Sequence, residues 1–184
     1  MGNRSSSLKN FDVDDSKKFP HFAIKDLQEW SSEFNAKYPN GKMSLQDLEI
    51  MFKRFFPFGS PKKFVFRLFN TINISQSNHI DFHELLIAFS ILMKGSSFEK
   101  LRWIFRFYDE DSDGVISKNE MVNIAQSMMD MISNTLDVNI DVEKSIDNLF
   151  ETCENKSGFF TFEDFKELAA RKKEAFQMLT LFLD

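Results

Sequence analysis

The stretch that decides the fold is Asp109-Glu110-Asp111-Ser112-Asp113-Gly114-Val115-Ile116-Ser117-Lys118-Asn119-Glu120. It matches the D-x-[DN]-x-[DN]-G-x5-E pattern of a calcium-binding loop at every required position. Calcium takes about six to eight hard oxygen ligands, and a central glycine and a final bidentate glutamate are typical of such a loop. The predicted ligands are the carboxylates of Asp109, Asp111 and Asp113, the carbonyl of Val115, a water held near Ser117, and both carboxylate oxygens of Glu120.

Helical periodicity flanks this loop on both sides. Apolar residues recur at spacings of three and four before the loop, and they do so again after it. They are Leu101, Ile104, Phe105 and Tyr108 on the first side, and Met121, Ile124, Ala125 and Met128 on the second. The pattern predicts a helix-loop-helix unit, and this context favours a calcium site over an acidic surface turn that matches the motif by chance.

A local signature of the same unit occurs four times along the chain. It consists of a turn residue, an apolar residue two positions later, and then a small polar residue three positions before an acid. The instances are Gly41/Met43/Ser44/Asp47, Asn78/Ile80/Asp81/Glu84, Gly114/Ile116/Ser117/Glu120 and Gly158/Phe160/Thr161/Asp164. The last two residues of each form a capping box that starts a helix, so we predict four helix-loop-helix units.

We predict an all-α fold of four EF-hand units in two paired lobes. The apolar residues beside the caps should pair as short antiparallel β ladders, the first loop with the second and the third with the fourth. The expected division is a flexible terminus over residues 1–20, an N-terminal pair over 21–94 and a C-terminal pair over 98–184. The predicted hinge between the lobes is Lys94-Gly95-Ser96-Ser97.

The first two loops lack most of the calcium ligand set. The first, residues 36–47, has Ala36, Tyr38 and Pro39 where oxygen ligands and a flexible backbone are needed. The second, residues 73–84, offers Asn73, Ser75, Ser77 and Asn78, with charge only on Asp81 and Glu84. Because affinity follows the number of charged ligands, we expect this second loop to be weak or silent for calcium.

The fourth loop, residues 153–164, begins with Cys153 and ends with Asp164, whose side chain is one methylene shorter than glutamate. A shorter final carboxylate suits the tighter shell of magnesium better than calcium. We therefore predict one calcium site, in the third loop, with Mg²⁺ as the alternative cation there or at a degenerate loop.

The chain begins Met1-Gly2-Asn3-Arg4-Ser5-Ser6, which fits the pattern for N-myristoylation at Gly2. An ordinary flexible terminus is the alternative, and the calcium loop favours acylation. A single myristoyl chain binds membranes only marginally. The basic residues near this end are few and are offset by acids, so we expect reversible or partner-assisted attachment.

Composition excludes several function classes. A net charge of -5, with no basic stripe interleaved with aromatics, gives no footprint for nucleic acid. A lone cysteine cannot form an internal disulfide, and neither a signal peptide nor an apolar run of about 18 residues is present, so we expect a cytoplasmic protein that is peripheral at membranes. Catalytic constellations are also missing, and His79 and His83 fail the H-E-x-x-H pattern, so we interpret them as exposed side chains and the protein as no enzyme.

Several stretches resemble the neuronal calcium sensor family, and its frequenin-like members in particular. They are Met1–Ser6, Trp30 with Phe34, Tyr38-Pro39-Asn40-Gly41, Phe55-Phe56-Pro57-Phe58-Gly59, and Lys100-Leu101-Arg102-Trp103 leading into Phe107-Tyr108-Asp109. The resemblance implies a disabled first loop, and Pro39 and Gly41 stand where the family has them. Frequenin-like members normally bind calcium in the second, third and fourth hands, whereas this sequence keeps a full ligand set only in the third.

The resemblance also implies an apolar groove that receives amphipathic helices of target proteins, in the kinase, receptor, cyclase or channel class. The candidate groove residues are Trp30, Phe34, Phe52, Phe55, Phe56, Phe82, Leu85 and Phe89, for each of which core packing is the alternative. The apolar end of the chain, Ala175–Leu183, should either cap the C-terminal lobe or lie in a groove. The expected function is that of a calcium sensor which engages targets at membranes, and the alternative is a calcium-insensitive membrane adaptor with a structural cation.

Overall fold

The computed structural model describes residues 18–132, 140–152 and 157–171, and this part of the chain is mainly helical. The helices are α1 (Ile24–Lys37), α2 (Leu45–Phe55), α3 (Lys62–Ile72), α4 (Phe82–Lys94), α5 (Ser97–Tyr108), α6 (Lys118–Ile132), α7 (Val142–Thr152) and α8 (Phe162–Arg171). Two short strands complete the described elements, β1 (Val115–Ser117) and β2 (Phe159–Thr161). The predicted all-α EF-hand fold is confirmed.

All four predicted capping boxes are present. Ser44 and Asp47 exchange hydrogen bonds at the start of α2, and Asp81 and Glu84 do the same at the start of α4. The corresponding pairs at α6 and α8 are Ser117 with Glu120 and Thr161 with Asp164. Each box satisfies amide groups that the first turn of a helix leaves unpaired, which is why the four exiting helices begin at these residues.

The predicted loop pairing is also confirmed. In the N-terminal pair, Met43 and Ile80 form an antiparallel bridge through two backbone hydrogen bonds of 2.8 Å. In the C-terminal pair, β1 and β2 are antiparallel, with Ile116 opposite Phe160. Both of these apolar side chains are almost completely buried, so each ladder joins its two loops and also contributes to the core.

The two pairs share one hydrophobic core and are joined by a short linker. Buried residues from α1 through α8 belong to a single cluster, and α3 packs against both α5 and α6. Only Gly95 and Ser96 separate α4 from α5, and Ser96 forms a capping box with Glu99 that starts α5. The two pairs also approach each other closely at Gly59, which follows α2. A Cβ atom added there would lie 1.7 Å from the carbonyl oxygen of Met131 in α6.

Two sequence-based expectations need correction. The flexible terminus was expected to reach residue 20, but Phe19 is buried in a small cluster with Leu27 and Leu86, because the apolar faces of α1 and α4 leave a site for its ring. His79 and His83 were expected to be exposed, but both are half-buried. His83 packs edge-on against Phe19, with 5.4 Å between the ring centroids.

Three predicted features lie outside the described residues. They are Gly2 with its acylation motif, the beginning of the fourth loop including Cys153, and the apolar segment Ala175–Leu183. Among the helices that the structure does describe, none combines the length and the apolar character needed to cross a membrane.

Candidate metal centre

The third loop brings predicted ligands together between the end of α5 and the start of α6. One carboxylate oxygen from each of Asp109, Asp111 and Glu120 lies within 4.8 Å of the others. Asp109 is buried, Glu120 is half-buried and Asp111 is exposed. Hard oxygen atoms in this arrangement are the donor set that calcium prefers, so the residues present fit the ion.

Backbone amides of the loop hold these carboxylates in place. Asp109 accepts hydrogen bonds of 3.1 Å from the amides of Asp113 and Gly114. Glu120 spans the loop, since one of its oxygens accepts from the amide of Glu110 at 2.8 Å and the other from the amide of Ser117 at 2.8 Å. The side chain that caps α6 is therefore also the one predicted to be the final cation ligand.

The other predicted ligands lie on the same loop. Asp113 accepts a hydrogen bond from the amide of Val115 at 3.0 Å and is not part of the three-carboxylate group. Val115 begins β1, which fixes the direction of its backbone. The Ser117 hydroxyl donates to Glu120 at 2.6 Å. Gly114 has a φ of +90°, which suits the sharp turn predicted there, since glycine adopts this region at no steric cost.

The loop environment shifts the pKa values of two of these acids in opposite directions. Burial raises the pKa of Asp109 above its ordinary value, and the nearby carboxylates of Asp113 and Glu120 add to this rise. Burial also acts to raise the pKa of Glu120, but hydrogen bonds from Ser117 and the loop amides outweigh it and the net pKa is lowered. A bound cation would favour the ionised form of both groups.

The second loop has a similar backbone but fills its centre differently. Gln76 and Asn78 have positive φ values, as Ser112 and Gly114 do at the matching positions of the third loop. The side-chain oxygen of Asn73 accepts a hydrogen bond from the amide of Ser77 at 3.1 Å. The loop's hydroxyls donate to one another and to its backbone, with Ser75 donating to Ser77 at 3.0 Å and Ser77 to the carbonyl of His79 at 2.9 Å.

Sequence reasoning missed two arginines beside the metal centre. Arg67 of α3 is 7% exposed and donates hydrogen bonds to backbone carbonyls at the end of α5 and in the first residues of the third loop. Burial lowers the pKa of its guanidinium, an effect that the carboxylates of Glu110, Asp109 and Glu120 oppose. Arg106 of α5 donates to the carbonyl of Thr71 in α3. The sequence did contain a signal for the burial of Arg67. It lies three residues after Phe64 and four before Thr71, which places all three on one helical face, and the other two are buried.

Two apolar cavities are lined by the N-terminal pair, and the second of them also by residues of α5 and α6. The first, of about 320 Å³, is lined by Trp30, Glu33, Phe34, Lys37, Tyr38, Met43, Met51, Phe82, Leu85, Leu86, Phe89 and Met93. The second, of about 330 Å³, is lined by Leu48, Met51, Phe52, Phe64, Leu68, Ile72, Leu85, Ala88, Phe89, Leu92, Trp103, Ile104, Phe107 and Met128. The two cavities share Met51, Leu85 and Phe89 and so form one apolar surface.

The predicted groove residues divide between these cavities and other places. Trp30, Phe34, Phe52, Phe82, Leu85 and Phe89 line one or both cavities. Phe55 is outside both linings and is 69% exposed. Phe56 is also outside them and stacks on Phe52, with 6.3 Å between the ring centroids.

Comparison with known proteins agrees with this geometry. The model of the family described as an EF-hand domain pair matches residues 76–127, which include most of the second loop, the linker and the third loop. A protein of Lymnaea stagnalis named neuronal calcium sensor 1 is 33% identical over 185 residues, covering 98% of this chain and 97% of the relative. A protein of the same name from Aplysia californica is 32% identical with the same coverage. The chain therefore belongs to the neuronal calcium sensor family of EF-hand calcium-binding proteins.

Proposed function

We propose that this protein is a calcium sensor with one functional cation site, in the third loop, which engages target proteins at membranes through the apolar surface of its N-terminal pair. The observation that carries the proposal is the group formed by Asp109, Asp111 and Glu120. It lies on the loop that follows α5, and α5 also lines the second cavity through Trp103, Ile104 and Phe107.

The ion would be held by the carboxylates of the third loop together with a backbone carbonyl. The ligands we assign are Asp109, Asp111, Asp113, the carbonyl of Val115, Ser117 through a water, and Glu120. Calcium is the preferred ion because the loop ends in glutamate, which can supply two oxygens to a wide shell. Mg²⁺ is the alternative at this loop.

The restriction to a single site is supported by the side chains of the second loop. Its candidate oxygens are those of Asn73, Ser75, Ser77 and the carbonyl of His79, and hydrogen bonds already join them to one another or to loop amides. A cation at this loop would have to replace these hydrogen bonds, and it would gain only neutral oxygens from Asn73, Ser75 and Ser77. Since the loop's two acids, Asp81 and Glu84, face backbone amides in a capping box, we propose that this loop is stable without a metal.

The target surface is supported by the apolar character of the two joined cavities. Phe89 is 45% exposed and Met93 is 59% exposed, and both line the first cavity, so their exposure adds to one apolar patch of the kind that marks binding sites. The Tyr38 hydroxyl is buried and has no hydrogen-bond partner among the residues that the structure describes, and Tyr38 lines the first cavity. An amphipathic helix would cover this apolar surface and offer a polar group to Tyr38.

The second candidate function is a calcium-insensitive membrane adaptor whose cation serves stability alone. The direct contacts between Arg67 and the third loop favour the sensor, because they link the cation ligands to helices that line the target surface. In either case we propose attachment of a cytoplasmic protein to membranes through a myristoyl group on Gly2, as the motif at residues 1–6 indicates.

The first prediction concerns the stoichiometry and the essential ligand. Calorimetric titration with calcium, in the presence of magnesium, should give one site per chain with a dissociation constant of about 10⁻⁷ to 10⁻⁵ M. Glu120→Gln should weaken binding by about 100-fold or more, because loss of outer-shell partners alone costs about 10- to 100-fold in metal affinity. Glu110→Gln, which removes the same charge from an exposed non-ligand position of this loop, is the matched control. Equal losses in both variants would contradict the assignment.

The second prediction tests the account of the silent second loop. The triple variant Asn73→Asp, Ser75→Asp, Ser77→Asp replaces the hydroxyl network with carboxylates on a backbone that already has the required positive φ values at positions 76 and 78. Calorimetry should then return two calcium sites in place of one, since affinity follows the charge of the ligands. A single site in a variant that still unfolds cooperatively would show that backbone geometry, and not side-chain chemistry, disables this loop.

The third prediction tests the target surface. Phe89→Ser should reduce the calcium-dependent binding of a synthetic amphipathic helical peptide by about tenfold or more, as is common for aromatic residues at the centre of an interface. Phe66→Ser is the matched control, because Phe66 is 50% exposed and lines neither cavity. Fluorescence anisotropy of the labelled peptide measures both affinities. If the two variants lose affinity equally, the target surface is elsewhere.

The fourth prediction concerns the terminus. Gly2→Ala should release the protein from cell membranes into the soluble fraction, because myristoylation requires that glycine. Intact-mass measurement of the native protein should show one added myristoyl group, and the variant should lack it. A native protein without this mass would remove the lipid from the proposal and leave the calcium site unaffected.

A further inference from the structure

The guanidinium of Arg67 is buried beside the third loop but is not among the ligands assigned to the calcium site. Arg67 belongs to α3 of the N-terminal pair, yet its acceptors in the structure are carbonyls of the third helix-loop-helix unit. We propose that Arg67 is a positioning residue that couples the calcium loop to α3 and so to the apolar surface, an inference that rests on the calcium site proposed above.

Four backbone carbonyls surround this guanidinium. Nε donates to the carbonyl of Phe107 at 2.6 Å, and Nη2 donates to that of Asp109 at 2.6 Å. Nη2 also donates to the carbonyl of Arg106, and Nη1 contacts that of Glu110 at 3.4 Å. The last carbonyls of a helix have no intrahelical partners and carry partial negative charge, so one planar cation satisfies the end of α5 and the beginning of the loop together.

A second arginine makes the connection reciprocal. Arg106 of α5 donates to the carbonyl of Thr71 at 2.6 Å, at the end of α3 and two residues before the second loop begins. The Thr71 hydroxyl donates to the carbonyl of Arg67 at 2.9 Å. Each of the two helices thus has its carboxyl end bound by an arginine of the other, and we call Arg67 and Arg106 the arginine clamp.

This geometry provides a mechanical route from the cation to the apolar surface. Asp109 is both a proposed cation ligand, through its carboxylate, and an acceptor for Arg67, through its carbonyl. A guanidinium is a rigid fork with fixed donor directions, so a rotation of residues 106–110 on calcium binding must move Arg67 or break its hydrogen bonds. The same two helices supply much of the lining of the second cavity, including Phe64, Leu68, Ile72, Trp103, Ile104 and Phe107.

The test is hydrogen exchange of the full chain, with and without saturating calcium, comparing peptides from residues 62–72 and 105–117. In the native protein calcium should slow exchange in both segments, by about fivefold or more in α3, the lower end of typical coupling between sites. Arg67→Lys keeps the positive charge but loses the planar guanidinium with its fixed donors. In this variant calcium should no longer slow exchange in α3, while it should still slow exchange in the loop. Arg54→Lys, a change at an exposed arginine of α2, should retain both responses.

The outcomes separate the clamp from the calcium site. If Arg67→Lys keeps the native α3 response, the clamp does not couple the two and the proposal is overturned. If calcium slows exchange in the native loop but not in α3, coupling is absent although the calcium site stands. If calcium slows exchange in neither segment of the native protein, both the proposed function and the clamp's role are overturned. Should Arg67→Lys not unfold cooperatively on heating, Arg106→Lys tests the same connection from the other helix, with the same loss expected.

Discussion

The hydrogen bonds of the buried Arg67 guanidinium to the end of α5 and the third loop are the interaction on which the relation between the two EF-hand pairs depends. Desolvation of a cation costs several kcal/mol, which is offset only where good acceptors surround it. Arg67 has such acceptors at the carboxyl end of α5 and nowhere along its own helix, because helical carbonyls before the last turn are already used. The registration of α3 against α5 is therefore set by hydrogen bonds of about 1.5–3 kcal/mol each and not by apolar packing alone.

The second and third loops show two solutions to one backbone problem. Both turn through residues of positive φ and both end in a glutamate that caps the next helix. In the second loop, hydrogen bonds join the side chains of Asn73, Ser75 and Ser77 to one another and to the backbone, which supports the proposal that this loop needs no ion. The third loop places several carboxylates close together, which repel one another until a cation binds, and its backbone amides offset only part of that repulsion. This contrast is the basis for the proposal that calcium binds the third loop and not the second.

The apolar surface exists because some large apolar side chains are buried in the core while others next to them remain exposed to solvent. Phe34, Phe64 and Phe107 are buried, whereas Phe89 and Met93 on α4 remain substantially exposed beside them. Such a surface is continuous with the core, because the second cavity is lined by residues of both EF-hand pairs. Small movements of α3 or α5 would therefore alter the shape of the surface as well as the packing beneath it.

The amino-acid sequence by itself determined the features that depend on residues close together in the chain. The calcium motif and the four capping boxes involve short-range spacings that physical chemistry constrains strongly. The β pairings of Met43 with Ile80 and of Val115–Ser117 with Phe159–Thr161 join residues far apart in the chain, and they were predictable because the same local signature recurs in each loop. Tertiary structure decided the remainder. It buried Phe19, partly covered His83, left Phe55 outside both cavities although Phe52 lines one, and brought Arg67 to the third loop across about 40 positions of sequence. Such contacts depend on which helical faces meet, and helical periodicity identifies an apolar face without naming the helix that covers it.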